Sequence, residues 1–172
     1  MSLKKTKLNQ KYIYSVVKKA LDEDLRPKGD ITTNLISLKN KRIKVKIMAR
    51  QSGIVAGLNF CKAAFKLIGR EASFKAKIKD GKKIKKYKVI AEIKAKTKTI
   101  LIAERTALNF LNHASGIATL TNQYVNKVNK KTKICCTRKT TPNLRLLEKY
   151  AVKKGGGYNH RYNLSDEILI KD

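Results

Sequence analysis

The chain has 172 residues, and its 41 Lys and Arg stand against 12 Asp and Glu, a formal net charge of +29. An apolar share of 42% with only two Pro and nine Gly supports a packed core and excludes a disordered or fibrous chain; the length allows one large domain or two small ones. No apolar run reaches the ~18 residues of a membrane span, and the opening Met-Ser-Leu-Lys-Lys-Thr-Lys lacks an apolar signal core, so the expectation is a soluble, cytoplasmic protein with no membrane partner.

A basic excess of this size suits a binder of nucleic acid or of a membrane surface. Yet only eight of the 41 basic residues are Arg, the Lys are spread along the whole chain, and few aromatics interleave with the basic runs. A solvated Lys surface is the better reading, with no specific nucleic-acid partner expected and any adsorption weak and lost as salt rises. A basic nucleic-acid-binding module stays as the alternative function. Cys61, Cys135 and Cys136 lack zinc-type spacing, and neighbouring Cys135 and Cys136 point to opposite sides of a strand, so packing roles in a reduced compartment are expected.

In chain order, Ile13, Val16, Val17, Ala20 and Leu21 repeat at helical spacing and predict a helix over 10–25. The acidic trio Asp22-Glu23-Asp24 lacks calcium-loop spacing and reads as helix-end chemistry, and Asp30-Ile31-Thr32-Thr33 as the turn into a new segment. Ile43, Val45 and Ile47 alternate with Lys44 and Lys46, a half-buried strand over 41–50 that Ser52 to Gly57 continues. Leu58 to Ile68 predicts a short amphipathic helix ending at Gly69. Alternation then returns, with Asp80-Gly81 as a hairpin signal before Val89, Ala91, Ile93 and Ala95. The first hundred residues thus predict an α+β layer whose sheet keeps a wet Lys face. A long helical run starts near Thr99, is interrupted at Ser115-Gly116, and resumes through Ile117, Leu120, Tyr124 and Val128.

The end of the chain reads as strand, helix, strand. Lys133 to Thr137 predicts a short buried strand, and Pro142 opens a helix whose apolar face is Leu144, Leu147, Tyr150 and Ala151. Gly155 ends that helix, and Ile168-Leu169-Ile170 predicts the second strand. Such units build parallel sheets and α/β barrels, where ligands sit beyond the carboxyl ends of the strands. Those ends carry Arg138-Lys139 and Lys171-Asp172, so mostly cationic groups converge on one rim, which suits a polyanionic small ligand. In a chain that otherwise uses Lys, Arg105, Arg138, Arg145 and Arg161 all fall in the last seventy residues, and the guanidinium fork suits carboxylate and phosphate.

Thr137-Arg138-Lys139-Thr140-Thr141-Pro142, Leu144-Arg145, Glu148-Lys149-Tyr150-Ala151-Val152, Gly155-Gly156-Gly157-Tyr158-Asn159-His160-Arg161 and Leu169-Ile170-Lys171-Asp172 together closely resemble quinolinate phosphoribosyltransferases. Gly29-Asp30-Ile31-Thr32-Thr33, Glu104 to Asn109 and Ser115 to Thr119 extend the resemblance towards the N-terminus. It implies an α+β, sandwich-like N-terminal domain over 1–112, followed over 113–172 by the first part of an incomplete α/β, TIM-like barrel. It implies phosphoribosyl transfer from phosphoribosyl pyrophosphate to quinolinate, with decarboxylation to nicotinate mononucleotide. Arg105, Arg138, His160, Arg161 and Lys171 are then expected around the quinolinate carboxylates, with Thr137 at the strand end. Lys139 and Lys171 would face the phosphoribosyl donor and are the candidates for a catalytic role, and His113 is expected to be structural. The resemblance also implies a homodimer in which Arg105 reaches the partner's site, and Mg²⁺ held largely by residues beyond Asp172. The family's chain continues past this point, so the 172 residues alone are expected to be inactive. A molybdenum-associated relative of the same architecture and a dimer-forming remnant stay as alternatives. Asn143 departs from the family's usual Gly, and Asn tolerates the same backbone region.

Overall fold

The computed structural model describes residues 8–35, 40–129 and 131–170. The first helix, α1 (Gln10–Leu25), falls where the apolar spacing puts it and buries Ile13, Val17 and Leu21. Asn9 caps it, its side chain accepting from the backbone N–H of Tyr12 at 2.7 Å. Of the acidic residues, Asp22 lies 3.5 Å from Arg26 at the helix end and Asp30 accepts from the N–H of Thr33 at the start of α2 (Ile31–Leu35), local roles as expected, whereas Asp24 accepts a 2.7 Å bond from distant Thr106.

The strand β1 (Arg42–Met48) alternates as its sequence does, with Ile43, Val45 and Ile47 half-buried. It pairs antiparallel with β5 (Val89–Lys96), which pairs in turn with β3 (Ser73–Ala76), giving the order β1-β5-β3. Ala91, Ile93 and Ala95 of β5 are fully buried on the inner face, against α3 (Leu58–Ile68) and the long α4 (Thr97–Lys127). The outer face carries Lys44 opposite Lys94 and Arg42 opposite Lys96; Glu92 accepts from Lys77 at 3.0 Å and from Lys44 at 3.3 Å. Those hydrogen bonds, from Lys77 first, hold the Glu92 carboxyl below its usual range. The core centres on Phe60, Phe65, Ile93 and Leu111, with the Phe60 and Phe110 rings 5.3 Å apart.

Two expectations about connections need correction. Asp80-Gly81 does not join two adjacent strands as a tight hairpin. It leads into β4 (Lys83–Ile84), which pairs with β2 (Gly53–Ile54) in a separate ladder. Asp80 is drawn inward instead, because the N-terminus of α3 has no side-chain cap of its own: its carboxylate accepts from the N–H of Gly57 at 3.1 Å and of Leu58 at 3.2 Å. Nor is the long helix broken at Ser115-Gly116. The Ser115 hydroxyl donates to the Ala56 carbonyl and accepts from its N–H, and one turn on, Thr119 accepts from the N–H of Ile54 at 2.9 Å. The pair satisfies a strand edge from the side of a continuous α4, and buried Ala114 and Ala118 outweigh the weak helix propensity of one Gly.

The chain closes with β6 (Cys135–Cys136), α5 (Arg145–Lys154) and β7 (Tyr158–Asn159), the two strands pairing in parallel. The second strand therefore comes directly after the glycine run. Ile168-Leu169-Ile170, expected as that strand, is irregular and exposed, Ile168 and Ile170 at 91% and 87%. A β-branched run becomes a strand only where a ladder receives it, and among the described residues no strand flanks this one. Pro142 lies ahead of α5 instead of in its first turn: the N–H of Leu144 bonds the Thr141 carbonyl and Asn143 takes φ +64°, the pattern of a type II turn. Asn thus occupies the left-handed position, as expected.

Two glycines make a paired prediction about α4. A Cβ on Gly155 would run into the carbonyl of Ala118 and meet Thr121 Cβ at 2.7 Å, whereas one on Gly116 meets no heavy atom within 4 Å. In urea unfolding, Gly155→Ala should lose about 1–3 kcal/mol by overpacking, and Gly116→Ala should gain about 0.5–1 kcal/mol.

Candidate active site

The register of β6 and β7 places Cys135 beside Tyr158 and Cys136 beside Asn159. Parallel strands leave a sheet on the same edge, so Thr137-Arg138-Lys139 and His160-Arg161 emerge side by side. Thr137 and Lys139 are exposed, whereas Arg138, His160 and Arg161 are half-buried. The Arg138 Nε is buried and has no hydrogen-bond partner among the described residues. A buried guanidinium N–H left empty is a costly state, and it marks a place where an acceptor belongs.

The second strand exit is tied to the loop after it. Glu167 lies with a carboxylate oxygen 3.7 Å from His160 Nε2, and its backbone carbonyl accepts from Arg161 Nη1 at 3.3 Å. The first exit is held from α5: Glu148, 9% exposed, accepts from the Thr141 N–H at 3.2 Å while its other oxygen lies 2.9 Å from His113 Nε2. That makes His113 a structural partner of a buried carboxylate. Below, α5 meets the N-terminal layer through Tyr150, whose hydroxyl donates to Asp80 at 2.7 Å. Burial, the Asp80 charge and that bond raise the Tyr150 hydroxyl well above its usual value. Away from the rim, burial pushes the Cys61 thiol up to about 12, which makes it a packing group as expected.

Five of the expected site residues, Thr137, Arg138, Lys139, His160 and Arg161, thus share one edge. Arg105 is exposed on α4, and no described hydrogen bond or ion pair ties it to that rim. Lys171 lies outside the described residues. Sequence reasoning gave no part in the site to Glu148, Lys149 or Asp80, the last read only as a turn residue. Glu148 carried a signal, since it falls on the apolar stripe between Leu144, Leu147 and Ala151, where an unpaired carboxylate does not belong. Lys149, 1% exposed, carried none.

The donor chemistry at the rim does not fit Mg²⁺. The groups are mostly cationic, the Glu167 carboxylate lies beside His160, and among the described residues no three His, Cys, Asp or Glu side chains group as metal ligands. No helix of the described residues is long and apolar enough to cross a membrane.

Residues 30–115 match the family model for the quinolinate phosphoribosyl transferase N-terminal domain, and residues 117–172 that for its C-terminal domain. The chain belongs to the quinolinate phosphoribosyl transferase family. A probable nicotinate-nucleotide pyrophosphorylase (carboxylating) of Methanocaldococcus jannaschii is 45% identical over 164 residues, covering 94% of this chain and 56% of its own length. The Bacillus subtilis protein of the same name is 43% identical over 145 residues, covering 84% and 50%. The crystal structure of Streptococcus pyogenes NadC superposes with a TM-score of 0.92 at 43% identity, over 96% of this chain and 60% of that one. The chain spans about half the length of the curated relatives it matches. The fold is that of the family: a mixed α/β layer followed by the opening of a TIM-like barrel, with the strand exits where such barrels hold ligands.

The Tyr150–Asp80 bond yields a pH prediction. A hydroxyl whose folded pKa is raised contributes stability that is complete below the unfolded value of 10.0 and is lost as pH rises through the folded one. Tyr150→Phe should cost about 1–3 kcal/mol at pH 7, and the gap to wild type in urea unfolding should narrow above pH 10.0. A gap that stays constant across that range contradicts the assignment.

Proposed function

We propose that this chain carries the dicarboxylate-binding part of an enzyme that moves a phosphoribosyl group from phosphoribosyl pyrophosphate to quinolinate. The products are nicotinate mononucleotide, pyrophosphate and carbon dioxide. The observation that carries the reading is the buried Nε of Arg138, without a partner among the described residues, beside half-buried His160 and Arg161 at adjoining strand exits. Two carboxylates on neighbouring ring carbons offer four acceptor oxygens in a small volume, which forked and ring N–H donors meet better than a point charge does. Family membership and the names of the relatives point the same way.

In this reading Arg138, His160 and Arg161 hold the carboxylates, Thr137 adds a hydroxyl at the strand end, and Lys139 and Lys171 face the phosphoribosyl donor. The ring nitrogen forms a bond to the anomeric carbon as the bond to pyrophosphate oxygen breaks. The nitrogen becomes cationic and stabilises the electron pair that the adjacent ring carbon keeps when its carboxylate leaves as carbon dioxide; that carbon then takes up a proton. Cations at the rim stabilise the departing pyrophosphate electrostatically. Mg²⁺ belongs to this reading as the companion of pyrophosphate, with its ligands outside the described residues. Arg105, exposed and without a described bond to this rim, is assigned to the neighbouring subunit's site in a homodimer. The reaction is placed in the cytoplasm.

Calorimetric titration of the 172-residue chain tests the site. At physiological salt, pyridine-2,3-dicarboxylate should bind about tenfold or more tightly than pyridine-3-carboxylate, and Arg138→Ala should remove that preference, the loss of a charge-assisted pair. No preference in wild type, or a preference that survives Arg138→Ala, overturns the reading.

A further inference from the structure

Helix α5 carries two cations one turn apart, Arg145 and Lys149, and residues four apart share a helix face. Arg145 Nε donates to the Thr140 hydroxyl at 3.0 Å and Nη1 to the Tyr162 carbonyl at 3.1 Å, with the guanidinium 5.9 Å from the Tyr162 ring centre. Lys149 Nζ donates to the His160 carbonyl at 2.8 Å and lies 3.2 Å from Cys136 Sγ. Each cation therefore touches both strands or their exits, Lys149 at the level of the ladder and Arg145 one turn nearer the rim. We propose that Arg145 and Lys149 form a two-rung brace that sets the separation of the two exits, and so act as positioning residues for the anion site. The proposal rests on the reading of that site given above.

Three features make the contacts a brace rather than incidental bonds. At the second exit the acceptors at 160 and 162 are backbone carbonyls flanking Arg161, so those bonds fix main chain, while at the first exit the contacts are to the short side chains of Thr140 and Cys136. The two N–H directions of Arg145 are rigidly related, so one planar group spans two loops at a set spacing, which an ammonium cannot copy. Lys149 is 1% exposed, yet no carboxylate among the described residues pairs with it. Burying an ammonium against neutral acceptors is unfavourable, and it persists here where it joins two strand ends. Arg145 and Lys149 add positive charge behind a rim that presents Arg138, Lys139 and Arg161, which favours a bound polyanion.

The experiment reads the brace and the site separately on the 172-residue chain. Amide hydrogen exchange is followed without ligand in wild type, Arg145→Lys and Lys149→Met, and pyridine-2,3-dicarboxylate affinity is measured in the same proteins and in Arg138→Ala. Arg145→Lys keeps the charge and the exposure pattern, so it reports even if Lys149→Met fails to fold. It should raise exchange about tenfold in both 139–141 and 160–163, leave α3 and β5 unchanged, and weaken the dicarboxylate about tenfold through lost fork geometry. A response in only one of the two segments, or in neither, overturns the brace whatever the ligand does. Equal dicarboxylate affinity in wild type and Arg145→Lys overturns the positioning role. Equal affinity in wild type and Arg138→Ala overturns the reading of the site itself.

Discussion

Two strands paired in parallel must release their next residues at the same edge, and the site depends on that constraint. The ladder between β6 and β7 is only two residues long on each side, yet it brings Arg138 and His160-Arg161 together from positions more than twenty residues apart. The glycine run makes the return compact. Gly155 and Gly157 pack where a Cβ would strike Thr121 on α4, and Gly156 takes φ +93°, open to few residues with a side chain. Helix and strand can succeed each other so closely only because those positions carry no side chain.

The rim is then stiffened from below. α5 contributes a buried carboxylate, Glu148, to the backbone of the Arg138 loop and two cations to the exits, while Tyr150 reaches Asp80 in the other layer. Asp80 is shared: one carboxylate caps α3 through two backbone N–H groups and accepts the Tyr150 hydroxyl. The start of the barrel is thereby locked to the sheet layer by one charged group as well as by α4, which passes unbroken from one to the other. A site built this way has its side chains on short strand ends but its rigidity in the helix behind them.

The legible parts of the chain were those written in local periodicity. α1 and α3 lie where apolar spacing puts them, β1 alternates as its residues do, and Gly155 ends α5. The parts misread were those in which a residue serves a distant backbone. Ser115 and Asp80-Gly81 have the composition of a break and a hairpin, and both act as hydrogen-bonding partners of segments more than twenty residues away. The apolar run Ile168-Leu169-Ile170 has strand composition without a strand beside it among the described residues, because pairing is a property of two segments and composition of one.

The site divides along the same line. Residue type alone determined that Arg138, Lys139 and Arg161 suit an anionic ligand, since guanidinium and ammonium groups are donors wherever they stand, while His160 came from the family motif. The motifs alone determined the family. Only the tertiary structure decided that the second exit is at Asn159 rather than at Ile170, that Arg138 keeps a buried N–H without a partner among the described residues, and that Lys149 is a buried strut and not another solvated lysine. The physical reason is that chemistry is carried by single side chains, whereas burial and alignment arise only when separate stretches of chain share one volume.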